Sequence, residues 1–273
     1  MVKIQLITIF LCITLMDFVV GKPIEKSGFQ LVCPGDGKEC IVTGQQNFDD
    51  DKMIQGDIIP DPQQSTDSRN ALMDPLTRWP KKTVPYAYHH NFTDKEKQII
   101  ESGMRFIESK TCIKFVPYDP KLKFNAVLLI TNAAGCKASL GYAKGQRILN
   151  LSPSQCLVKN GIVHHEMLHV LGLKHEHSRP DRDEYVTIIQ ENIAPGQEHN
   201  FEKASPLEYT TYDIPYNYLS VMHYPINAFS IDPSRVTLLP KGAVNIKLMG
   251  QRVKATNWDL KKINLMYKCT EKN

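Results

Sequence analysis

The chain has 273 residues, 42% of them hydrophobic and 23% charged. That is ordinary globular composition, long enough for one large domain or two small ones. The net charge of +4 comes without a dense Lys/Arg run, which reads as a solvated surface and argues against nucleic acid as a partner.

The chain opens "MVKIQLITIFLCITLMDFVVGKP". Lys3 gives a positive start, Ile4 to Met16 a mostly apolar core, and Val19 and Gly21 a cleavage site. The core falls short of the roughly 20 apolar residues that span a bilayer, and Asp17 interrupts it. Residues 1–21 therefore read as a secretory signal peptide, against the alternative of an N-terminal anchor. No later stretch could cross a bilayer, so a secreted, extracellular protein without stable membrane association is expected. Cys12 leaves with the signal. Cys33, Cys40, Cys112, Cys136, Cys156 and Cys269 remain, an even count that suggests disulfides in such a chain.

Residues 22–69 are acidic and polar and are expected to lack a core of their own. From Trp79 onward the pattern changes. "TVPYAY" reads as a strand. Thr93 and Glu96 form a capping box for a helix with Ile99, Ile100, Met104, Phe106 and Ile107 on one side. "CIKFVPY" and "NAVLLIT" read as strands, and "GCKASLGYAKGQRILNL" as a Gly-punctuated strand pair. A second helix is expected from about Leu157 to Leu173. The chain is then rich in Pro, Tyr and Asn until Thr256 and Asp259, a capping pair for a last helix. No further module is read after Cys269. The sequons at Asn91 and Asn150 are candidate glycosylation sites.

The chemistry concentrates in "HHEMLHVLGLKHEHSRPDRD". His165 and His169 lie four apart, which on a helix puts both imidazoles on one face. Glu166 lies about 100° round the helix, able to reach a metal-bound water without being a ligand. This is H-E-x-x-H, two ligands and a general base. Gly172 can take a left-handed conformation and end the helix, so that the chain turns and His175 comes back to the metal. Three imidazoles and an open position describe a catalytic zinc site, one Zn2+ per chain. The bland alternative is a set of surface histidines at a helix end. His164, His177, His89, His90 and His199 are read as surface or packing residues. "SVMHY" then places Met222 in a tight turn beneath the metal, with Tyr224 close to it and His223 facing away.

These residues resemble the astacin family of zinc endopeptidases, a branch of the metzincins, over nearly all of 70–273. Glu176, Arg179, Asp181, Arg182 and Asp183 follow the third histidine as in the family's extended signature, and "SVMHY" resembles its methionine turn. The resemblance implies an α+β fold of two subdomains. A mixed, mostly parallel N-terminal sheet and a zinc-binding helix face an irregular C-terminal subdomain ending in a helix, with a cleft between. It implies hydrolysis of protein and peptide substrates, Glu166 as base, and Tyr224 as a fifth ligand that also serves the oxyanion. Disulfides Cys112–Cys269 and Cys136–Cys156 follow from it, and so does a monomer.

It further implies a zymogen. Residues 22–69 form the propeptide, "IQGDI" resembles the inhibitory motif, and Asp57 is the switch on zinc. Asp36 also follows a glycine, but it lacks the flanking isoleucines, Ile54, Ile58 and Ile59, that let Asp57 pack into a cleft. An activating protease cuts after Arg69, and the new ammonium of Asn70 is linked to Glu176. Cys33 and Cys40 depart from the family's plain propeptides. They are read as paired with each other, against the alternative of a thiolate on zinc. A catalytically silent binding protein on the same scaffold is the competing function. The complete set His165, Glu166, His169, His175 and Tyr224 speaks against it.

Overall fold

The computed structural model describes residues 29–34, 39–44, 49, 52–61, 74–207 and 209–270. The expected signal peptide, the activation site at Arg69 and Asn70, and Asp36 lie outside the described residues.

The main sheet has eight strands: β1 (Phe29–Val32), β2 (Ile41–Gly44), β3 (Ile58–Ile59), β4 (Thr83–His89), β5 (Lys114–Pro117), β6 (Ala126–Thr131), β7 (Cys136–Ser139) and β8 (Gly145–Leu151). Their order is β1-β2-β4-β6-β8-β7-β3, with β5 also on β4. Pairing is parallel except for β1 with β2 and β7 with β8. The mostly parallel sheet, and each strand expected between Thr83 and Leu151, are therefore present.

Helix α1 (Asp94–Lys110) starts at the Thr93–Glu96 capping box and buries Ile100, Met104 and Ile107. A one-turn helix α2 (Pro153–Cys156) precedes the central helix α3 (Asn160–Val170), which starts three residues later than expected. Helices α1 and α3 pack on one face of the sheet, where Val84, Tyr88, Leu128, Ile130, Leu149 and Leu151 form the core with Val163 and Met167. The last helix, α4 (Asn257–Met266), begins at a capping box made by Thr256 and Asp259.

The C-terminal half is irregular, apart from the two-stranded sheet of β9 (Val186–Ile188) and β10 (Leu238–Pro240), which the sequence pattern does not reveal. It has its own core of Val186, Ile193, Phe201, Tyr224, Leu238 and Met249. Disulfides join Cys33–Cys40, Cys112–Cys269 and Cys136–Cys156.

Residues before the expected activation site use the rest of the chain as their core. Strand β2 extends the sheet beside the end of β4. Cys40 and Val42 pack with Ala87, Val127, Leu129 and Ile148, the residues that alternate with the helix-facing set. The six residues of β6 are all buried, as expected of a parallel strand covered on both faces.

Candidate metal centre

Helix α3 carries His165, Glu166 and His169 almost out of contact with solvent. It ends as its glycine predicts. Gly172 has φ 103°, its N–H donates to the carbonyl of His169, and the N–H of Leu173 donates to Leu168. This is the Schellman pattern. The remaining terminal carbonyls are also satisfied, since Trp79 Nε1 donates to Val170 and Tyr267 Oη to Leu171. The turn returns His175 to the α3 pair.

Three ring nitrogens then converge. His165 Nε2 lies 3.1 Å from His169 Nε2 and 3.3 Å from His175 Nε2. The Asp57 carboxylate completes the group, 3.0 Å from His165, 3.4 Å from His169 and 3.3 Å from His175. The opposite nitrogen of each ring faces an oxygen: Nδ1 of His165 donates to Val221 O at 2.7 Å, that of His169 to Leu173 O at 2.6 Å, and that of His175 to Gln55 Oε1 at 3.0 Å. With the protons on Nδ1, three lone pairs point at one another. Burial drives the His165 imidazole well below its usual pKa and brings His175 to about 4, so both are neutral and able to ligate.

The residues fit zinc. Four tetrahedral ligands at 2.0–2.1 Å require edges of about 3.3–3.4 Å between ligand atoms. His165 Nε2 lies 3.1 and 3.3 Å from the other two ring nitrogens, and the Asp57 oxygens lie 3.0–3.4 Å from the three rings, Oδ2 toward His165 and Oδ1 toward His169 and His175. Two buried carboxylate oxygens, Asp57 Oδ1 and Glu166 Oε2, have no hydrogen-bond partner, which is costly unless a cation or water satisfies them. Burial, with the Asp57 charge adding to it, pushes the Glu166 carboxyl well above its usual range.

Asp57 is delivered by a tight turn. Ile54 and Ile58 exchange two backbone hydrogen bonds, with Gln55 at φ 50° and Gly56 at φ 79°. A Cβ on Gly56 would stand 2.5 Å from the Phe229 ring, so glycine permits both the bend and the close approach. The Gln55 carbonyl accepts a 2.5 Å hydrogen bond from Tyr224 Oη, so that hydroxyl is held by the same turn. The Tyr224 ring stacks on His177 at 3.7 Å between centroids.

Beneath the histidines, Met222 is buried in a turn clamped by α4. Asp259 accepts from Ser220 Oγ and from Val221 N, which aims the Val221 carbonyl at His165. The Met222 carbonyl accepts from Glu176 N. Glu176 is buried with both oxygens used: Oε1 accepts from Arg179 Nη1 at 2.9 Å and from Asn217 N, and Oε2 from Lys262 Nζ at 2.8 Å. Lys262 thus supplies a charge that the family resemblance assigns to the Asn70 ammonium.

The other histidines are surface or packing residues. His164 stacks on Phe106, His177 bonds Asn200 O, and His223 turns from the metal site to Tyr216 Oη and Tyr224 O. One expectation is corrected. Asn150 is fully buried in β8, and its Nδ2 donates to the carbonyls of Ala133, Ala134 and Gly135. A glycan has no place there, because the amide nitrogen is spent inside the fold. Asn91 is exposed at the end of β4. Sequence reasoning missed Gln55, Val221, Asp259 and Lys262 as supports of the site. Gln55 lies inside the quoted "IQGDI", but its bond to His175 has no local signature.

Comparison with known proteins gives one consistent result. The family model described as astacin, a peptidase family, matches residues 71–268. Zinc metalloproteinase nas-14 of Caenorhabditis elegans is 37% identical over 224 residues, 82% of this chain and 43% of that protein. Nas-39 of the same organism is 37% identical over 205 residues, 75% of this chain and 22% of that protein. This chain therefore spans less than half the length of either. High choriolytic enzyme 1 of Oryzias latipes is 32% identical over 276 residues, 96% of this chain and 97% of that protein. Its solved structure, titled a hatching enzyme zinc-protease, superposes with a TM-score of 0.65 at 34% identity, covering 71% of this chain and 96% of that one.

Proposed function

The chain belongs to the astacin family of peptidases, and from that premise we propose that it is a secreted, zinc-dependent endopeptidase made as a zymogen. The observation that carries the reading is the convergence of His165, His169 and His175 with the Asp57 carboxylate, Glu166 beside them. His165, His169 and His175 would hold one zinc ion. When bound, the zinc supplies Lewis acidity, which lowers the pKa of a ligated water to about 7 and polarises a carbonyl.

The chain's own residues do the rest. Glu166 takes a proton from the attacking water on Oε2, the oxygen left without a partner. The water oxygen joins the scissile carbon, the C–N bond breaks, and Glu166 returns the proton to the leaving nitrogen. Tyr224, once free of Gln55, donates its hydroxyl hydrogen bond to the carbonyl oxygen as charge develops there. In the zymogen Asp57 takes the position that substrate and water need. Gln55 holds Tyr224 with its carbonyl and His175 with its side chain.

Residues 1–21 serve as the signal peptide and 22–69 as the propeptide, and an activating protease cuts after Arg69 to leave a monomeric catalytic domain from Asn70. Three disulfides suit an oxidising compartment. No helix among the described residues is long and apolar enough to cross a membrane.

The test is casein hydrolysis by protein processed to begin at Asn70. Activity is expected, and a chelator abolishes it. Glu166→Ala is expected to keep one zinc per chain and lose about 10²–10⁴-fold in rate, whereas His169→Ala loses the metal as well. Chelator-resistant hydrolysis, or an active Glu166→Ala enzyme, defeats the reading.

A further inference from the structure

Arg147 has no part in the chemistry above, yet it is a buried cation in β8, 5% exposed. Its three donor groups go three ways. Nε donates to Gly141 O at 3.1 Å and Nη2 to Leu140 O at 2.8 Å. Those carbonyls belong to the loop directly after β7. Nη1 donates to Asp61 Oδ2 at 2.5 Å, and the carboxylate is as buried as the guanidinium.

Asp61 belongs to the propeptide. Its chain leaves Asp57 at the histidines, pairs through Ile58 and Ile59 with Ala138 and Ser139 of β7, and reaches Arg147 four residues on. Residues 57–61 thus lie along one strip, from the metal centre past the β7 edge to a fixed cation. An extended chain advances about 3.3 Å per residue, so Arg147 stands roughly 13 Å along that strip from the metal centre.

The two bonds to Leu140 and Gly141 do not depend on the propeptide. They fix the plane of the guanidinium, whereas Nη1 is bonded to a residue that departs on activation. An unpartnered cation in a buried position is costly, and a planar guanidinium fixed in orientation is suited to a carboxylate.

We propose that Arg147 is a specificity-determining residue of the mature enzyme. It forms a subsite for an acidic side chain, Asp or Glu, three or four residues from the scissile bond of the substrate. Asp61 fills this subsite in the zymogen as a substrate side chain fills it after activation. The inference rests on the zymogen reading above. The competing account is that Arg147 serves only as a latch for the propeptide, and it predicts no substrate preference.

The experiment uses protein processed to begin at Asn70 and a casein-derived peptide that it cuts at one bond. Versions of that peptide carry a single Asp, Asn or Lys at each of the four positions on either side of the cut. The wild type is expected to favour Asp over Asn at one position by about tenfold in kcat/KM, as a charge-assisted hydrogen bond provides, and Lys is expected to be worst there. In Arg147→Gln the Asp-to-Asn ratio at that position falls to about one, Arg147→Lys retains part of it, and Arg147→Glu inverts the order of Asp and Lys. A wild type without acidic preference three or four residues from the cut overturns the proposal, whatever the variants do. A preference that survives in Arg147→Gln overturns it too. Cleavage of acidic and neutral peptides alike sinks the subsite and leaves the peptidase reading intact, whereas failure to cut any peptide removes both.

Discussion

Side by side, Asp57 and Glu166 are two carboxylates with opposite proposed duties. Asp57 touches all three histidines within 3.4 Å. Glu166 stands beside them, buried, with Oε2 unbonded. A like charge so close disfavours ionisation of the pair, and a bound cation relieves it. Removing Asp57 should therefore unblock the site without dismantling it, because the histidines keep their own Nδ1 partners. The uncut Asp57→Ala chain is expected to bind zinc and hydrolyse casein measurably, whereas the uncut wild type does not. Equal silence of the two would show that Gln55 and the strand pairing of β3 suffice to close the cleft.

Elements were legible where their signals are local. The boxes Thr93–Glu96 and Thr256–Asp259 close within four residues, so α1 and α4 could be placed from the chain alone. The alternation and apolar runs of β4, β6 and β8 were equally plain. Strands β1 to β3 were not, because β2 and β3 are short pieces that join the sheet only by pairing with distant β4 and β7, and β1 joins it only through its hairpin with β2. The candidate metal ligands His165, His169 and His175 were legible for the same local reason, since their spacing is that of one helix and one turn. Their supports were not, since Val221, Asp259 and Lys262 reach the site only through tertiary packing. The bend at Gly172 joins the two cases, local in signal and tertiary in effect. At φ 103° an added Cβ costs about 1–2 kcal/mol, and any relaxation shifts His175. Gly172→Ala is expected to melt several degrees lower and to bind zinc more weakly. Competition against a chromogenic chelator reads the second effect, and unchanged zinc affinity would mean that His175 is positioned by Met222 and the 176–178 turn instead.

At the scale of the whole molecule, the described residues of the proposed propeptide meet the rest of the chain on two separate surfaces. Residues 53–61 lie in the cleft, and the hairpin of β1 and β2, closed by Cys33–Cys40, extends the sheet and packs on the face away from α1 and α3. His89 and His90 add bonds to the carbonyls of Gly44 and Val42. The proposed cut after Arg69 would break a covalent tie but neither of these contacts. Two footprints on one short peptide act together, because binding at one raises the effective concentration at the other. The disulfide lowers the entropy lost when the hairpin docks. A peptide of residues 29–61 with Cys33–Cys40 oxidised is thus expected to inhibit the processed enzyme at least about tenfold more strongly than residues 53–61 alone. Reduction of that peptide should return most of the difference. Equal inhibition by the two peptides would place all of the restraint in the cleft. The hairpin would then be a cover for the apolar face formed by Ala87, Val127, Leu129 and Ile148, needed while the chain folds and without effect on activity once the cut is made.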